Sequence, residues 1–352
     1  MNKGRTLEQL AQEIMRQQQT KRDFVADTRQ ITFNQNGTIQ LPTSATEGNE
    51  TFPINPIAHG QIASRLKIPK AYYDRCLNEA PALLANNVNH WFTNQPEKRL
   101  IRTLDGNARG FLSDRFRRLD HFDICDVLLP QIINGKQQAT FLSTQITEKK
   151  MYLKLIFEST SFEVSPGDKV YFGKTIANSE VGHGSFSIED FFYRTFCKNG
   201  CTFSGGTLRK YHVGRGLYDN ESDMRELLSD ETKSTTDKAF WMQLKDIWEH
   251  SIAPENFQER MNQLTAAKED KMAKPVVEVV ELAAKKFNLS EDHGKSMLMT
   301  LAKEGDFSRW GLANAVTAIA NDIDDYEQAH DLEKLGGKIL ALTAGEWRSI
   351  AA

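Results

Sequence analysis

Five stretches decide how this chain reads: RLIRTL at 99–104, ARGFLS at 108–113, ATFLST at 139–144, MYLKLIF at 151–157 and DKVYFG at 168–173. In each, β-branched and aromatic residues recur with the two-residue alternation of a half-buried strand, not the 3.6-residue period of a helix. Asp105-Gly106-Asn107 supplies a turn between the first two, and a helical stretch at 121–133 interrupts the series. The expected fold class is therefore α+β, with a mixed, mainly antiparallel sheet core and flanking helices.

Upstream, Leu7, Leu10, Ala11, Ile14 and Met15 share one side of a helical wheel over 5–20. Ile31 and Phe33, then Ile39 and Leu41, flank Asn36-Gly37, which predicts a hairpin with a type I′ turn. Residues 43–50 are polar and read as a loop. From 56 to 92 the pattern is helical, with Ile68-Pro69 breaking the run because proline disfavours helical geometry in the residue before it. HGQIASRLKIPKAYYDRC, 59–76, has the outline of a helix-turn-helix, although two short helices around a proline turn usually do no more than pack. Downstream, PVVEVVELAAKKF at 275–287 and WGLANAVTAIANDIDDYEQAHDLEKLGGKILAL at 310–342 have helical spacing, so the C-terminal region is expected to be all-helical. The predicted division is an N-terminal helix, hairpin and helical segment over 1–95, a basic α+β core over 96–218 and an acidic helical region over 219–352.

A chain of 352 residues, 39% hydrophobic and 26% charged, can bury a sizeable core. Its four cysteines, Cys76, Cys125, Cys197 and Cys201, are too scattered for a disulfide framework and read as reduced thiols. The first residues contain no apolar run fit for a signal peptide, and no stretch approaches the ~18 apolar residues that span a bilayer. A cytoplasmic protein that neither crosses nor anchors in a membrane is the expectation.

Known catalytic patterns are near misses at best. GDKVYFGKT at 167–175 ends like a phosphate-binding P-loop, but five residues separate its first glycine from the Gly-Lys pair where the loop geometry requires four. Cys197 and Cys201, with His183 and His212, form one loose pair of thiols and distant imidazoles, short of the two tight clusters of a structural zinc site. HExxH, GxSxG and GxGxxG are absent. Asp105, Asp114 and Asp190 read as turn or capping residues. No catalytic residue, cofactor or metal is assigned.

The charge pattern is more informative than the formal total of -3. Arg99, Arg102, Arg109, Arg115, Arg117 and Arg118 crowd one stretch, and Arg194, Lys198, Arg209, Lys210 and Arg215 another. Phe111, Phe116, Tyr193, Phe196, Phe203 and Tyr211 are interleaved with them. Guanidinium and ammonium groups neutralise phosphates and exposed rings stack on bases, a mixture suited to single-stranded nucleic acid. The competing reading makes the aromatics core and the arginines an ordinary solvated face. Between 219 and 333 acidic residues outnumber basic ones roughly two to one, so the basic side chains are segregated, and an acidic helical unit is positioned to screen or dock on them.

GFLSDRFRRLDHFDI at 110–124, GDKVYFGKTIANSEVGHGSFSIEDFFYRTFCKNGCTF at 167–203 and the 310–342 stretch resemble a phage- and plasmid-encoded family catalogued as domain of unknown function 932. Asn178, Ser179, Glu180, Gly182, Arg194, Cys197, Asn199 and Gly200 match its recurring positions. The resemblance implies a mobile-element setting and no particular chemistry. At the level of fold it is also similar to phage single-strand annealing proteins of the Red-beta and RecT kind, an analogy that does not carry function. The combined expectation is a cofactor-independent protein that binds single-stranded DNA through the eleven arginines and lysines named above, in phage or plasmid recombination or replication. Two alternatives are a protein-interaction module, such as an anti-defence inhibitor with a host protein partner, and a metal-dependent hydrolase or nuclease using Glu180, Asp190, His183 and Cys197. Leu332, Leu335, Ile339 and Leu342 fall at intervals suited to a homo-oligomer seam or to packing within the subunit.

Overall fold

The computed structural model describes residues 4–44, 48–195, 198–203 and 230–352. Among them are twelve helices and three antiparallel sheets, the expected α+β class with helices at the C-terminus. In chain order the elements are α1 (Leu7–Thr20), β1 (Arg22–Asp27), β2 (Thr32–Phe33), β3 (Thr38–Ser44), β4 (Gly48–Pro53), α2 (Pro56–Arg65), α3 (Lys70–Glu79), α4 (Pro81–Asn94), β5 (Lys98–Leu104) and β6 (Asn107–Ser113). There follow α5 (His121–Ile133), β7 (Ala139–Ile146), β8 (Met151–Glu163), β9 (Lys169–Asn178), β10 (Ser187–Arg194) and β11 (Asn199–Phe203). The helical region comprises α6 (Asp230–Ser251), α7 (Pro254–Glu269), α8 (Val276–Phe287), α9 (Glu291–Glu304), α10 (Arg309–Ile319), α11 (Tyr326–Leu340) and α12 (Ala344–Ala351).

Strands β7 to β11 form one five-stranded meander, each paired antiparallel with the next. Alternation sends Leu153, Leu155, Phe172, Ile176 and Phe192 to one face, where α5, α6 and α7 cover them; the Phe157 ring lies 6.2 Å from Trp248, and Phe172 lies 5.5 Å from Phe257. The opposite face carries Tyr152, Lys154, Thr175 and Glu189 and receives α11. That helix lies close to its neighbours because of two glycines: a methyl group on Gly337 would sit 2.2 Å from the Thr202 carbonyl oxygen of the sheet, and one on Gly336 would sit 2.3 Å from a Thr317 methyl on α10. Leu332, Ile339 and Leu342 are buried in this internal packing and do not form a surface seam.

A second core is built from β1–β5–β6, β2–β3–β4 and the helices α2 to α4, around Phe33, Leu41, Phe52, Tyr73, Val88, Phe92 and Phe111. It crosses the boundary predicted at 95/96, because β5 pairs with β1, and Ile101, Ala108 and Phe111 are buried among N-terminal residues. Conversely α1 contributes Leu10 and Ile14 to the larger core. The acidic helices belong to that core too, through Trp248, Leu264, Trp310, Leu312 and Val316, so they are part of the fold and not a detachable screen. The boundary predicted at 218/219 lies outside the described residues.

Local corrections have simple causes. The polar stretch at 43–50 carries strand hydrogen bonding across Pro42↔Asn49 and Ser44↔Gly48, because a hairpin end can face water on both sides. At Asn36-Gly37 only Gly37 is left-handed (φ 74°) and its N–H bonds the Asn34 carbonyl at 3.1 Å, so the turn ends in a left-handed glycine and is not type I′. Asp105 (φ 50°) and Gly106 (φ 74°) instead form the mirror-image turn. The helix-turn-helix outline is plain packing: Ile62, Ala63, Tyr73 and Cys76 are buried, and the His59 Nδ1 and Tyr73 hydroxyl are 2.9 Å apart. The P-loop near miss is strand, with Lys174 buried against Asp190. No helix among the described residues is long and apolar enough to cross a membrane.

Gly337→Ala should force α11 off β11 and lower stability by about 1–3 kcal/mol or more. Urea unfolding of the full chain measures the loss, whereas Gly345→Ala, where a methyl group meets nothing within 4 Å, should change little.

Candidate functional site

Where β9 ends, the chain turns through 179–186 before β10, and the site begins with the residue that anchors this turn. Glu180 is buried, accepts the His121 N–H at the start of α5 (2.7 Å), and pairs with Arg109 from β6. Arg102 from β5 donates to the Glu180 carbonyl oxygen (3.1 Å), to Asp23 (2.9 Å) and to Asp120 (2.6 Å), and Asp120 also takes Lys21. Burial opposes the charged form of Glu180, but the adjacent His121 ring, the Arg109 and Arg102 guanidinium groups and the His121 N–H override it and hold the carboxyl well below the usual carboxylate range. Asn178 closes the network by donating to the Leu119 carbonyl at 2.9 Å.

Above this anchor the chain is exposed from Gly182 to Ser185. Ser179 donates to the Lys149 carbonyl (2.7 Å) and accepts the His183 N–H (2.9 Å), which fixes the loop against the β7–β8 turn. Gly182 (φ 76°) lies over Leu112 and Phe116, and Gly184 (φ 130°) lies over Lys150. Arg115 and Arg118, both exposed, sit in the segment that carries Phe116.

The eleven basic residues expected on one nucleic-acid surface have several fates. Arg102 and Arg109 are buried in the Glu180 network, and Arg194 is buried between Asp168 (2.6 Å) and Glu304. Arg99, its side chain 11% exposed, pairs with Glu97 and lies 5.5 Å from the Phe111 ring. These four are corrections: their guanidinium groups neutralise carboxylates of their own chain, and releasing them to a phosphate would strand buried charge. Arg117 packs 4.2 Å over the Phe240 ring of α6 and is half-buried. Arg118 has a long 3.5 Å contact to Asp23, leaving it half exposed to solvent with Arg115 nearby in the chain. Lys198 is exposed in the β10–β11 turn, at the opposite end of β10 from the 179–186 loop. Arg209, Lys210 and Arg215 lie outside the described residues, as do Phe196, Cys197, Tyr211 and His212. Of the interleaved aromatics, Phe111 and Phe203 are core, while Phe116 and Tyr193 are half-buried.

Of the hydrolase alternative, Cys197 lies outside the described residues, and Glu180, Asp190 and His183 do not gather in one pocket. Glu180 is taken up by arginine, Asp190 by Lys174 (2.6 Å) and Arg260 (2.8 Å), and His183 stands on the exposed loop. Among the described residues no group of three His, Cys, Asp or Glu side chains gathers to hold a metal ion. The surface residues overlooked in the sequence are Lys149, Lys150 and Gly184, while Gly182 figures there only as a position of the resembled family. A signal was present in the Lys149-Lys150 turn between two strand patterns and in the twin glycines of SEVGHGSF.

A second polar cluster fixes α11. Lys154 and Glu333, each 1% exposed, meet at 2.5 Å, and His330 Nδ1 approaches the same Glu333 oxygen at 3.4 Å. The Tyr326 hydroxyl lies 2.8 Å from Ser143. Burial pushes the His330 imidazole down to about 4 from its ordinary 6.5, so it is neutral in the folded chain.

Glu180→Gln should cost about 3–5 kcal/mol in urea unfolding because it leaves the Arg109 charge buried and unpaired, while Arg118→Ala should stay within about 0.5 kcal/mol. For His330 the folded pKa lies below the unfolded one, so the unfolded chain binds the extra proton. Its contribution is full above pH 6.5 and is lost as pH falls toward about 4. Between pH 7 and pH 5 the chain should lose about 1–2 kcal/mol through this group, and His330→Gln should flatten that part of the pH profile.

No family model, curated protein or solved structure matches the chain, so the resemblance to domain of unknown function 932 rests on the quoted motifs alone.

Proposed function

We propose that the chain binds single-stranded nucleic acid in the cytoplasm of a bacterial host, in phage or plasmid replication or recombination. The surface in question is narrower than the two basic stretches suggest. It consists of Arg115 and Arg118, the half-buried Phe116, and Lys150 across the 179–186 loop, with Lys149 beside it held by Glu327. The observation that carries the reading is this juxtaposition. Phe116 lies 3.8 Å from where a Gly182 methyl group would sit, and Lys150 Nζ lies 3.3 Å from the corresponding position at Gly184, so a ring from one turn and a cation from another border one exposed glycine loop. Backbone amides and flexible cations are the groups that hold phosphates without reading bases, and a partly exposed ring gives an unpaired base a surface to stack on. The mobile-element setting is drawn from the family resemblance.

A surface that neutralises about three phosphates should show a slope of log K against log salt of about −2 on single strands. Anisotropy of a labelled oligothymidine between about 50 and 200 mM salt measures it. Arg115→Ala with Arg118→Ala should weaken binding about tenfold or more and reduce the slope by about 0.7 for each phosphate no longer neutralised. Binding that ignores salt, or a double variant that binds like the parent, would remove the reading.

A further inference from the structure

The half-buried Lys150 makes no ion pair among the described residues, whereas the ammonium of its neighbour Lys149 is taken up by Glu327 at 2.8 Å. Burial and the nearby Lys334 charge disfavour its ammonium form, while Glu327, Asp331 and Glu189 favour it from a distance, with the net effect that its pKa is lowered. Its ammonium is thus partly desolvated with no carboxylate in direct contact among the described residues.

What lies beside it is the exposed loop. Its Gly182 closes the turn that begins at Ser179 and its His183 N–H is taken by the Ser179 hydroxyl, while the backbone N–H groups of Gly184 and Ser185, both exposed residues, make no hydrogen bond among the described residues. The loop that carries them is held at its base by the Glu180 carboxylate and by Ser179, so the donors are placed before any ligand arrives. Both glycines are needed for this. A methyl group at Gly182 would meet Leu112 at 2.8 Å, and one at Gly184 would press on Lys150 Cε at 3.2 Å and Nζ at 3.3 Å. Glycine at 184 is what lets the ammonium lie against the loop backbone.

We propose that the 182–185 loop and Lys150 form a cradle for a single phosphate group. Backbone N–H groups in a turn with left-handed glycines, next to one ammonium, offer donors and positive charge to a tetrahedral oxyanion, the arrangement that recurs in phosphate-binding nests. The inference rests on the nucleic-acid reading for the source of the phosphate, a backbone or terminal phosphate of the strand. The chemistry of the cradle is the same for a free phosphate.

The test titrates inorganic phosphate into the full chain at constant ionic strength balanced with sodium chloride, following the thermal midpoint, which rises when a ligand binds the folded state. A saturable rise is expected. Lys150→Met, which keeps the stem and removes the charge, should weaken phosphate binding about tenfold or more. Lys136→Met, at an exposed position in the α5–β7 connection, should not. Should Lys150→Met fail to fold, Gly184→Ala gives the same reading by displacing the ammonium, and loss of the phosphate response is again expected. No rise beyond that of chloride, or a rise undiminished in both the Lys150 and Gly184 variants, overturns the cradle. Oligothymidine binding in parallel separates the two ideas. Strand binding without a phosphate response leaves the nucleic-acid reading standing and removes the cradle. A Lys150-dependent phosphate response without strand binding keeps the cradle and removes the nucleic-acid source.

Discussion

One buried carboxylate joins the parts of this molecule. Glu180 stands at the end of β9 in the large sheet, yet its partners come from β6 and the first turn of α5, while its backbone carbonyl takes Arg102 from β5. The two hydrophobic cores are separate clusters of apolar side chains, and these charged interactions cross between them. Such a joint is sensitive to the removal of any member, because a charge left alone in the interior is far more costly than the intact pair is favourable. It is directional as well. A carboxylate that accepts from a guanidinium and a backbone N–H together defines where the next few residues must go.

Those next residues are the exposed glycine loop. A buried, charge-paired anchor thus lies at the base of an exposed turn whose Gly184 and Ser185 N–H groups are unbonded among the described residues. Preorganised donors lose little entropy when a ligand arrives, which is why binding loops sit on rigid scaffolds. Meanwhile α11 is held from the other side of the sheet by the Lys154–Glu333 pair and by the close approach of Gly337 to β11. The acidic character of the C-terminal helices is therefore partly structural. Glu333 and Glu304 answer Lys154 and Arg194 of the strands.

This changes the meaning of the charge segregation along the chain. Among the described residues the buried strand cations are neutralised within the subunit, Lys154 and Arg194 by acidic helices and Arg99, Arg102, Arg109 and Lys174 by carboxylates of the strands and their connections. The cations that turns place out of direct contact with a carboxylate, chiefly Arg115 and Lys150, are the ones left to face a ligand. A linear count of arginines overstates a nucleic-acid surface for this reason, since it cannot distinguish a neutralised guanidinium from a solvated one.

Much of the fold was legible from residues alone. The alternation in RLIRTL, MYLKLIF and DKVYFG reports strands because side chains two apart share a face. Asp105-Gly106 reports a tight turn because few residues tolerate positive φ, and the apolar spacing of 332–342 reports a helix with one buried side. Partner choice was not legible. Nothing local distinguishes Arg102, fully buried, from Arg118, half exposed, because the carboxylates that decide their fates arrive from strands and loops many residues away. Lys150 and Gly184 likewise meet only because Met151 pairs with Asn178 across β8 and β9, which folds the two turns onto the same end of the sheet. The sequence by itself determined periodicity, turn chemistry and composition, which depend on each residue and its neighbours. The tertiary structure decided which charges cancel and which remain, because electrostatic pairing depends on distance in space and on burial.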